Sequence, residues 1–444
     1  MGARTDLILG GAGTEQDTIF AVASGAGRAA VAVMRISGPR SQASLAALCG
    51  RVPAPRQVRL RRLRDSDGAT LDRGMVLWMP GPNSYTGEDS AELYLHGGRA
   101  VLDGVADSLV GLGLRPADPG EFTRRAFLNG RMDLIEAEAV HDLVESETAE
   151  QRRQALRQLD GALGALYRGW ADRLQVLLAH QEALIDFPEE DLPADVEAAI
   201  IAELDALAGE VAVHLADDRR GERLREGLTF AVVGAPNVGK SSLVNALAER
   251  DVAIVSPLPG TTRDTLETRL VLGGVPVTLV DTAGLREAAG AIEAEGVRRA
   301  RARAAEADLI VAVIEAGSIG QVEADPDRRM LQVANKIDLC GLVPRGAIGL
   351  SALTGEGLGA LRRRLAEEAR ALIESSGSPP LTRARHRAAL EEAGSILVEA
   401  READWPELRA ESLRLALRAL GRVTGEVATE EILDLIFGQF CIGK

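Results

Sequence analysis

Apolar and polar positions change rhythm several times along this chain. Residues 18–23, 30–36, 75–78 and 91–95 are short runs of branched and apolar side chains punctuated by Gly and Pro, the pattern of strands bounded by turns. Helix-like stretches lie between them. An α+β domain over residues 1–130 follows, its first residues, to about Asp17, carrying no periodic signal and reading as a loose leader. From Asp133 the steps lengthen to three and four: Leu156, Leu159, Leu163, Leu166, Trp170, Leu174 and Leu177 form one apolar stripe along a helix. A fully apolar run at 228–233 then opens a stretch of alternating strand and helix signals that continues to about Ile373. Residues 375–380, Ser-Ser-Gly-Ser-Pro-Pro, read as a linker, and helical periodicity resumes through Leu390, Ile396, Leu397, Leu413, Leu417 and Leu420 to Phe437.

The predicted fold is therefore multidomain α/β. A discontinuous helical domain, 131–221 and 377–444, is interrupted by an α/β domain over 222–376. The two helical segments form either one bundle or two independent ones. Neither is long enough to make a comfortable core alone, which favours one bundle.

The inserted domain carries the clearest chemistry. Gly234-Ala-Pro-Asn-Val-Gly-Lys-Ser241 matches G-x-x-x-x-G-K-[ST] between a predicted strand and a predicted helix. Backbone N–H groups of Asn237, Val238, Gly239, Lys240, Ser241 and Ser242 wrap phosphates at a helix N-terminus in such a loop; Lys240 reaches the β and γ phosphates, and Ser241 binds Mg²⁺. Alone this says NTPase. Asn335-Lys336-Ile-Asp338 is an N-K-x-D element, whose aspartate accepts from the guanine N1–H and amino group, and Ser351-Ala352-Leu353 resembles the element that meets guanine O6. Between them stand Gly260-Thr261-Thr262-Arg-Asp264 and Asp281-Thr282-Ala283-Gly284. Thr262 completes the Mg²⁺ shell, Asp281 holds the ion through water, and the Gly284 N–H senses the γ-phosphate, so these are two switches. A Ras-like P-loop G domain with a central, mostly parallel sheet is predicted. Leu285 occupies the place of the glutamine that orients water in Ras-like enzymes, and it cannot do so.

Composition narrows the setting. At 444 residues with 46% hydrophobic and 26% charged positions, the chain has the balance of a folded protein with more than one core. No apolar run suits a membrane span or signal peptide, which points to the cytosol. Cys49, Cys340 and Cys441 are too few and too scattered for a disulfide frame or zinc site, and the five histidines show no ligand spacing. The net charge of −15 argues against a whole surface built for phosphate backbones, so an RNA partner needs a local basic patch or a helper protein. Among 51 Lys and Arg only Lys240, Lys336 and Lys444 are lysine. Where Arg is the default, a retained Lys marks a place needing a compact ammonium.

Asn237, the G-T-T-R-D switch, the ending Phe-Cys441-Ile-Gly-Lys444, and the segments Asn83-Ser-Tyr-Thr-Gly-Glu-Asp89 and Arg125-Ala-Phe-Leu-Asn-Gly130 together resemble the MnmE (TrmE) family of tRNA-modification GTPases over essentially the whole chain. The resemblance implies a homodimer that works with the FAD-binding protein MnmG (GidA) to install an aminomethyl or carboxymethylaminomethyl group at the 5-position of wobble uridine. It implies a folate-binding, dimerising N-terminal domain, with 5-formyl- or 5,10-methylene-tetrahydrofolate held by Arg35, Glu92, Arg131 and Lys444; Glu88 is a rival for Glu92. It further implies K⁺ held by Asn237, Ser256, Leu258 and Thr261, water oriented by Glu293, and a functional Cys441. The Pro-rich Ser256-Pro-Leu-Pro259 departs from the family, though backbone carbonyls at Ser256 and Leu258 survive such a change. Arg298, Arg299, Arg301 and Arg303 either contact tRNA or coat a solvated helix. A prenylation box at the C-terminus is a poor match. The alternative reading is an RNA-binding ribosome-assembly GTPase, which shares the G-domain motifs but needs neither the folate segments nor the cysteine.

Overall fold

A computed structural model describes residues 17–25, 27–186, 196–249, 267–281, 305–318, 328–374 and 379–443. Contacts divide the chain into two compact units. One runs to His141 and takes in the residues from Thr424 onward; the other is Asp142–Val423.

The first unit is built on six strands, β1 (Ile19–Val22), β2 (Ala29–Ser37), β3 (Arg59–Arg64), β4 (Thr70–Met79), β5 (Ser90–Gly97) and β6 (Arg115–Pro116). Their order is β3-β4-β5-β2-β1-β6, antiparallel except where β1 meets β6. Strand alternation sorts the side chains onto two faces. Met34, Ile36, Val76, Trp78, Leu93 and Leu95 are buried on one face beneath Leu45 and Leu48 of α1 (Ser41–Cys49) and Val105 and Leu109 of α2 (Arg99–Gly111). The other face carries Arg35 directly opposite Glu92. Helices α3 (Glu121–Leu128) and α4 (Leu134–Glu145) complete the unit together with the last helix, Glu430–Phe437. Leu134 and Ala137 pack on Leu433, Ile436, Phe437 and Phe440, and Arg124 bonds Asp434 at 2.9 Å and Glu430 at 2.5 Å.

In the second unit the predicted stripe is not one helix. It breaks at Asp160–Gly161 into α5 (Ala149–Leu159) and α6 (Ala162–Asp186), where Gly161 takes φ +81°, a conformation that favours glycine. Leu163, Trp170, Leu174 and Leu177 are buried, while Leu156 beyond the break is exposed. Thr148 and Gln151 close a reciprocal capping box at the start of α5. Helix α7 (Val196–Leu215) packs along a helix far away in sequence, Ala384–Glu402. Helix α8 (Arg220–Glu226) leads into the second sheet, made of β7 (Leu228–Gly234), β8 (Glu267–Leu272), β9 (Val275–Asp281), β10 (Leu309–Glu315), β11 (Met330–Asn335) and β12 (Ile348–Gly349). Its order is β12-β11-β10-β7-β9-β8, parallel except for β8 against β9. Helices α9 (Lys240–Ala248) and α10 (Leu358–Ile373) cover it, followed by α11 (Ala384–Glu402), α12 (Pro406–Thr424) and α13 (Glu430–Phe437).

The segments on which the chain enters and leaves the second sheet are stitched together. Asp142 Oδ1 accepts from Arg225 Nε at 3.1 Å and from Arg383 Nη2 at 2.7 Å. Asp217 accepts from Arg387 and from the Leu381 N–H, and Gln158 donates to Thr382. Asp142→Ala leaves two largely buried guanidiniums without their shared carboxylate, and is expected to lower stability by about 3 kcal/mol or more in urea titration. An unchanged midpoint would show that the joint is not held by charge.

Candidate functional site

Strand β7 delivers the chain into the Gly-rich loop, and the loop turns directly into α9. Asn237 (φ +64°) and Gly239 (φ +92°) are both left-handed. At Gly239 the close packing leaves no choice, since a Cβ there would lie 2.3 Å from Asn335 Nδ2. The buried Asn335 amide donates to Val238 O at 2.8 Å and accepts from the Ala352 N–H at 3.0 Å. It is a positioning residue that fixes the phosphate loop to the Ser351–Ala352–Leu353 loop. Asp338 is exposed, with Leu353 exposed and Ser351 fully buried. Lys336 (φ +67°) pairs with Glu315 at 3.2 Å.

Lys240 is the first residue of α9 and is 5% exposed. Its ammonium donates to Gly234 O (3.0 Å) and Ala235 O (2.8 Å), which holds a cation inside the curl of the loop at a helix N-terminus. Ser242 is exposed beside it. Ser241 Oγ donates to Asp281 Oδ2 at 2.5 Å. Two elements far apart in sequence thus present a hydroxyl and a carboxylate at one point, the hard oxygen donors that suit Mg²⁺. Among the described residues no cluster of three His, Cys, Asp or Glu forms a metal site of the protein's own. Ser256, Leu258, Thr261, Thr262, Thr282, Ala283, Gly284, Leu285, Glu293 and Lys444 lie outside the described residues, as do the leader and the arginines at 298–303.

The opposite face of the first sheet holds a second, largely buried constellation. Arg35 donates from Nε and Nη2 to Glu92 Oε1 at 3.1 and 3.0 Å, and Tyr94 OH donates to Glu92 Oε2 at 2.9 Å. Burial and that bond to a carboxylate push the Tyr94 phenol up. The Arg35 guanidinium lies 5.2 Å from the Tyr85 ring centre and 5.8 Å from that of Phe122. The sequence reading named neither ring, although Tyr85 sits inside the segment that carried the resemblance. A fork, a carboxylate and the half-buried Tyr85 ring can take a flat heterocycle with a polar edge, whereas Phe122 is fully buried in the core with Ile19 and Ala21.

Glu88 is differently placed. It accepts from Ser37 Oγ at 2.7 Å and from the buried Arg125, which also bonds Asp17 and Glu121. Burial pushes the Glu121 carboxyl up, but bonds from Arg115, the Asp118 N–H and Arg125 outweigh it and hold it below the usual range. Arg131 is exposed and makes no ion pair among the described residues. Cys441 has an exposed thiol, and its carbonyl accepts from the Gly120 N–H at the start of α3 at 3.5 Å.

Comparison with known proteins adds what geometry does not give. The family described as MnmE helical domain matches residues 134–441, and that described as GTP-binding protein TrmE N-terminus matches residues 18–131. The tRNA modification GTPase MnmE of Gluconacetobacter diazotrophicus is 60% identical over 97% of this chain and 100% of the relative. Its namesake in Granulibacter bethesdensis is 55% identical over the same shares. Among solved structures, the FeoB G domain of Methanococcus jannaschii covers 32% of this chain and 98% of its own at 24% identity and a TM-score of 0.24.

Proposed function

The chain belongs to the MnmE family of tRNA modification GTPases and is a GTP-hydrolysing enzyme, and we propose that it couples GTP turnover to modification of the wobble uridine of tRNA. Full-length identity to relatives of that name supports the assignment. The phosphate loop tied by Asn335 to the Ser351 loop is the observation that carries the GTP half. Lys240 neutralises the β and γ phosphates, the N-terminus of α9 and the loop N–H groups hold their oxygens, and Asp338 selects guanine. Ser241 and Thr262 would hold Mg²⁺, with Asp281 beside Ser241, and the ion when bound would offset the phosphate charge.

Asn237, with the carbonyls of Ser256 and Leu258 and with Thr261, holds K⁺ where an arginine finger would place its charge. Glu293 orients the attacking water in place of Leu285, and pairing of two G domains across a homodimer triggers the reaction. Turnover is therefore expected to rise severalfold in K⁺ over Na⁺, and Glu293→Ala is expected to retain GTP binding while losing hydrolysis. Equal rates in the two salts would remove the K⁺ site.

For the modification itself, Arg35, Glu92, Arg131 and Lys444 would hold a 5,10-methylene- or 5-formyl-tetrahydrofolate that supplies the carbon, beside the half-buried Tyr85 ring. The structure brings together Arg35 and Glu92, two of the residues the resemblance names, and this supports Glu92 over Glu88, which joins the separate Arg125 network. Cys441 lies beside α3 of the same unit and serves this end of the reaction. The partner is the FAD-carrying MnmG, and the place of action is the cytoplasm; no helix among the described residues is long and apolar enough to cross a membrane. Mass spectrometry of wobble uridines in cells lacking this chain tests the reading. Unchanged nucleosides would refute it and leave GTP hydrolysis standing.

A further inference from the structure

We propose that the edge strand β3 and the turn before it form the surface on which this chain grips the phosphodiester backbone of tRNA, an assignment that rests on the tRNA reading above. Residues 51–64 contain six arginines and no acidic residue, within a chain whose net charge is −15. Such a concentration is the local basic patch that an acidic chain needs if it is to touch RNA directly.

The structure keeps these cations available. Arg59 donates to the Gln57 side-chain oxygen, Arg61 to the Arg51 carbonyl and Arg64 to the Gly68 carbonyl, all neutral acceptors. Among the described residues none of the six is within ion-pair distance of a carboxylate. Of the nearby acids, Asp65 accepts the N–H groups of Asp67 and Ala69 in its own turn and Asp72 holds His96, while Asp67 is exposed in the turn and within ion-pair distance of none of the six. Arg59, Arg62 and Arg64 are exposed.

Guarding a sheet edge against aggregation explains charge on β3, but not its single sign. The ladder places Arg62 directly opposite Arg73 of β4, a like-charge pair that destabilises a sheet. A carboxylate at either place would guard the edge equally well and remove that repulsion. An external polyanion relieves it too, and it does so with the oxygen geometry that a guanidinium fork engages bidentately. Arg59 and Arg61 alternate with Arg62 across the two faces of β3, so their long side chains converge on a linear backbone of phosphates along the free edge of the sheet rather than on a point anion.

The test titrates the full-length protein with fluorescently labelled tRNA across a range of KCl concentrations. Arg61→Gln/Arg62→Gln/Arg64→Gln is expected to weaken binding about tenfold or more at 0.1 M salt and to lower the slope of log K against log[salt] by about 2, at roughly 0.7–0.9 per phosphate contact. The corresponding triple Lys variant is expected to keep the slope, and basal GTP hydrolysis is expected to be unchanged in both. Arg62→Gln alone is expected not to lower the thermal midpoint, since it removes a repulsion; this separates lost binding from lost folding. An unchanged affinity and slope in the Gln variant overturns the proposal, and so does a variant that keeps tRNA but loses capture of an acidic protein. Wild-type wobble modification together with an unchanged slope would sink this surface and leave the tRNA reading standing.

Discussion

Asp338→Asn is expected to lower GTP affinity by about 100- to 1,000-fold and to raise that for xanthosine triphosphate. In the proposed role the carboxylate accepts from two guanine donors, the N1–H and the 2-amino group, and hydrogen bonds to a charged partner contribute roughly 1.5–3 kcal/mol each. Replacing it with an amide removes the charge and turns a donor towards guanine's own donors, so a loss of about 3–4 kcal/mol follows at 1.4 kcal/mol per tenfold. Xanthine carries an oxygen where guanine carries the amino group and accepts from the new amide. Asp338 is exposed, so its replacement leaves the packed core of the domain intact. Competition of labelled nucleotide by GTP and by xanthosine triphosphate reads both effects. A fall in GTP affinity with no gain for the xanthine nucleotide would mean that the loop itself had collapsed.

The second large effect is at Lys240. Lys240→Ala is expected to reduce kcat for GTP by about 10²- to 10³-fold, the range for removing one preorganised donor from developing negative charge. Lys240→Arg should fail almost as badly. Lys240 is buried, 5% exposed, with its ammonium against two loop carbonyls, and a planar guanidinium with a branched head does not replace a compact point charge there. Single-turnover hydrolysis measured beside nucleotide binding separates the two losses. A fully active Lys240→Arg would show that the loop accommodates either cation, and that the survival of Lys in so Arg-rich a chain has another cause.

The phosphate loop was legible in the sequence because its chemistry is local: glycines, a lysine and a serine at fixed spacing, between a strand and a helix. The Arg35–Glu92 pair could be named only through the family resemblance, since its residues are 57 apart and meet through sheet register. Asn335 shows a subtler gap. Its motif points to the base, yet its amide holds two loops of the protein together, a role that no spacing announces. Strand β3 escaped the periodicity reading because Arg-Leu-Arg-Arg-Leu-Arg has one buried side chain, Leu63, and no branched or aromatic run. Pairing with β4 makes it a strand, not its own preference. The break between α5 and α6 was hidden for the opposite reason. The three-and-four spacing continues across Asp160–Gly161, so only the glycine's backbone marks the interruption.

The packing of α7 on α11 sets a schedule for synthesis. The apolar face of α7, with Ile200, Leu204, Leu207 and Val211, leaves the ribosome well before its partner at Ala384–Glu402 exists. At 5–20 residues per second, the stretch between them takes roughly 10 to 30 s to translate. During that interval the nascent chain carries a greasy helix with only α6 to cover it. Chaperone occupancy of ribosome-bound chains is therefore expected to peak over this window and to fall once α11 emerges.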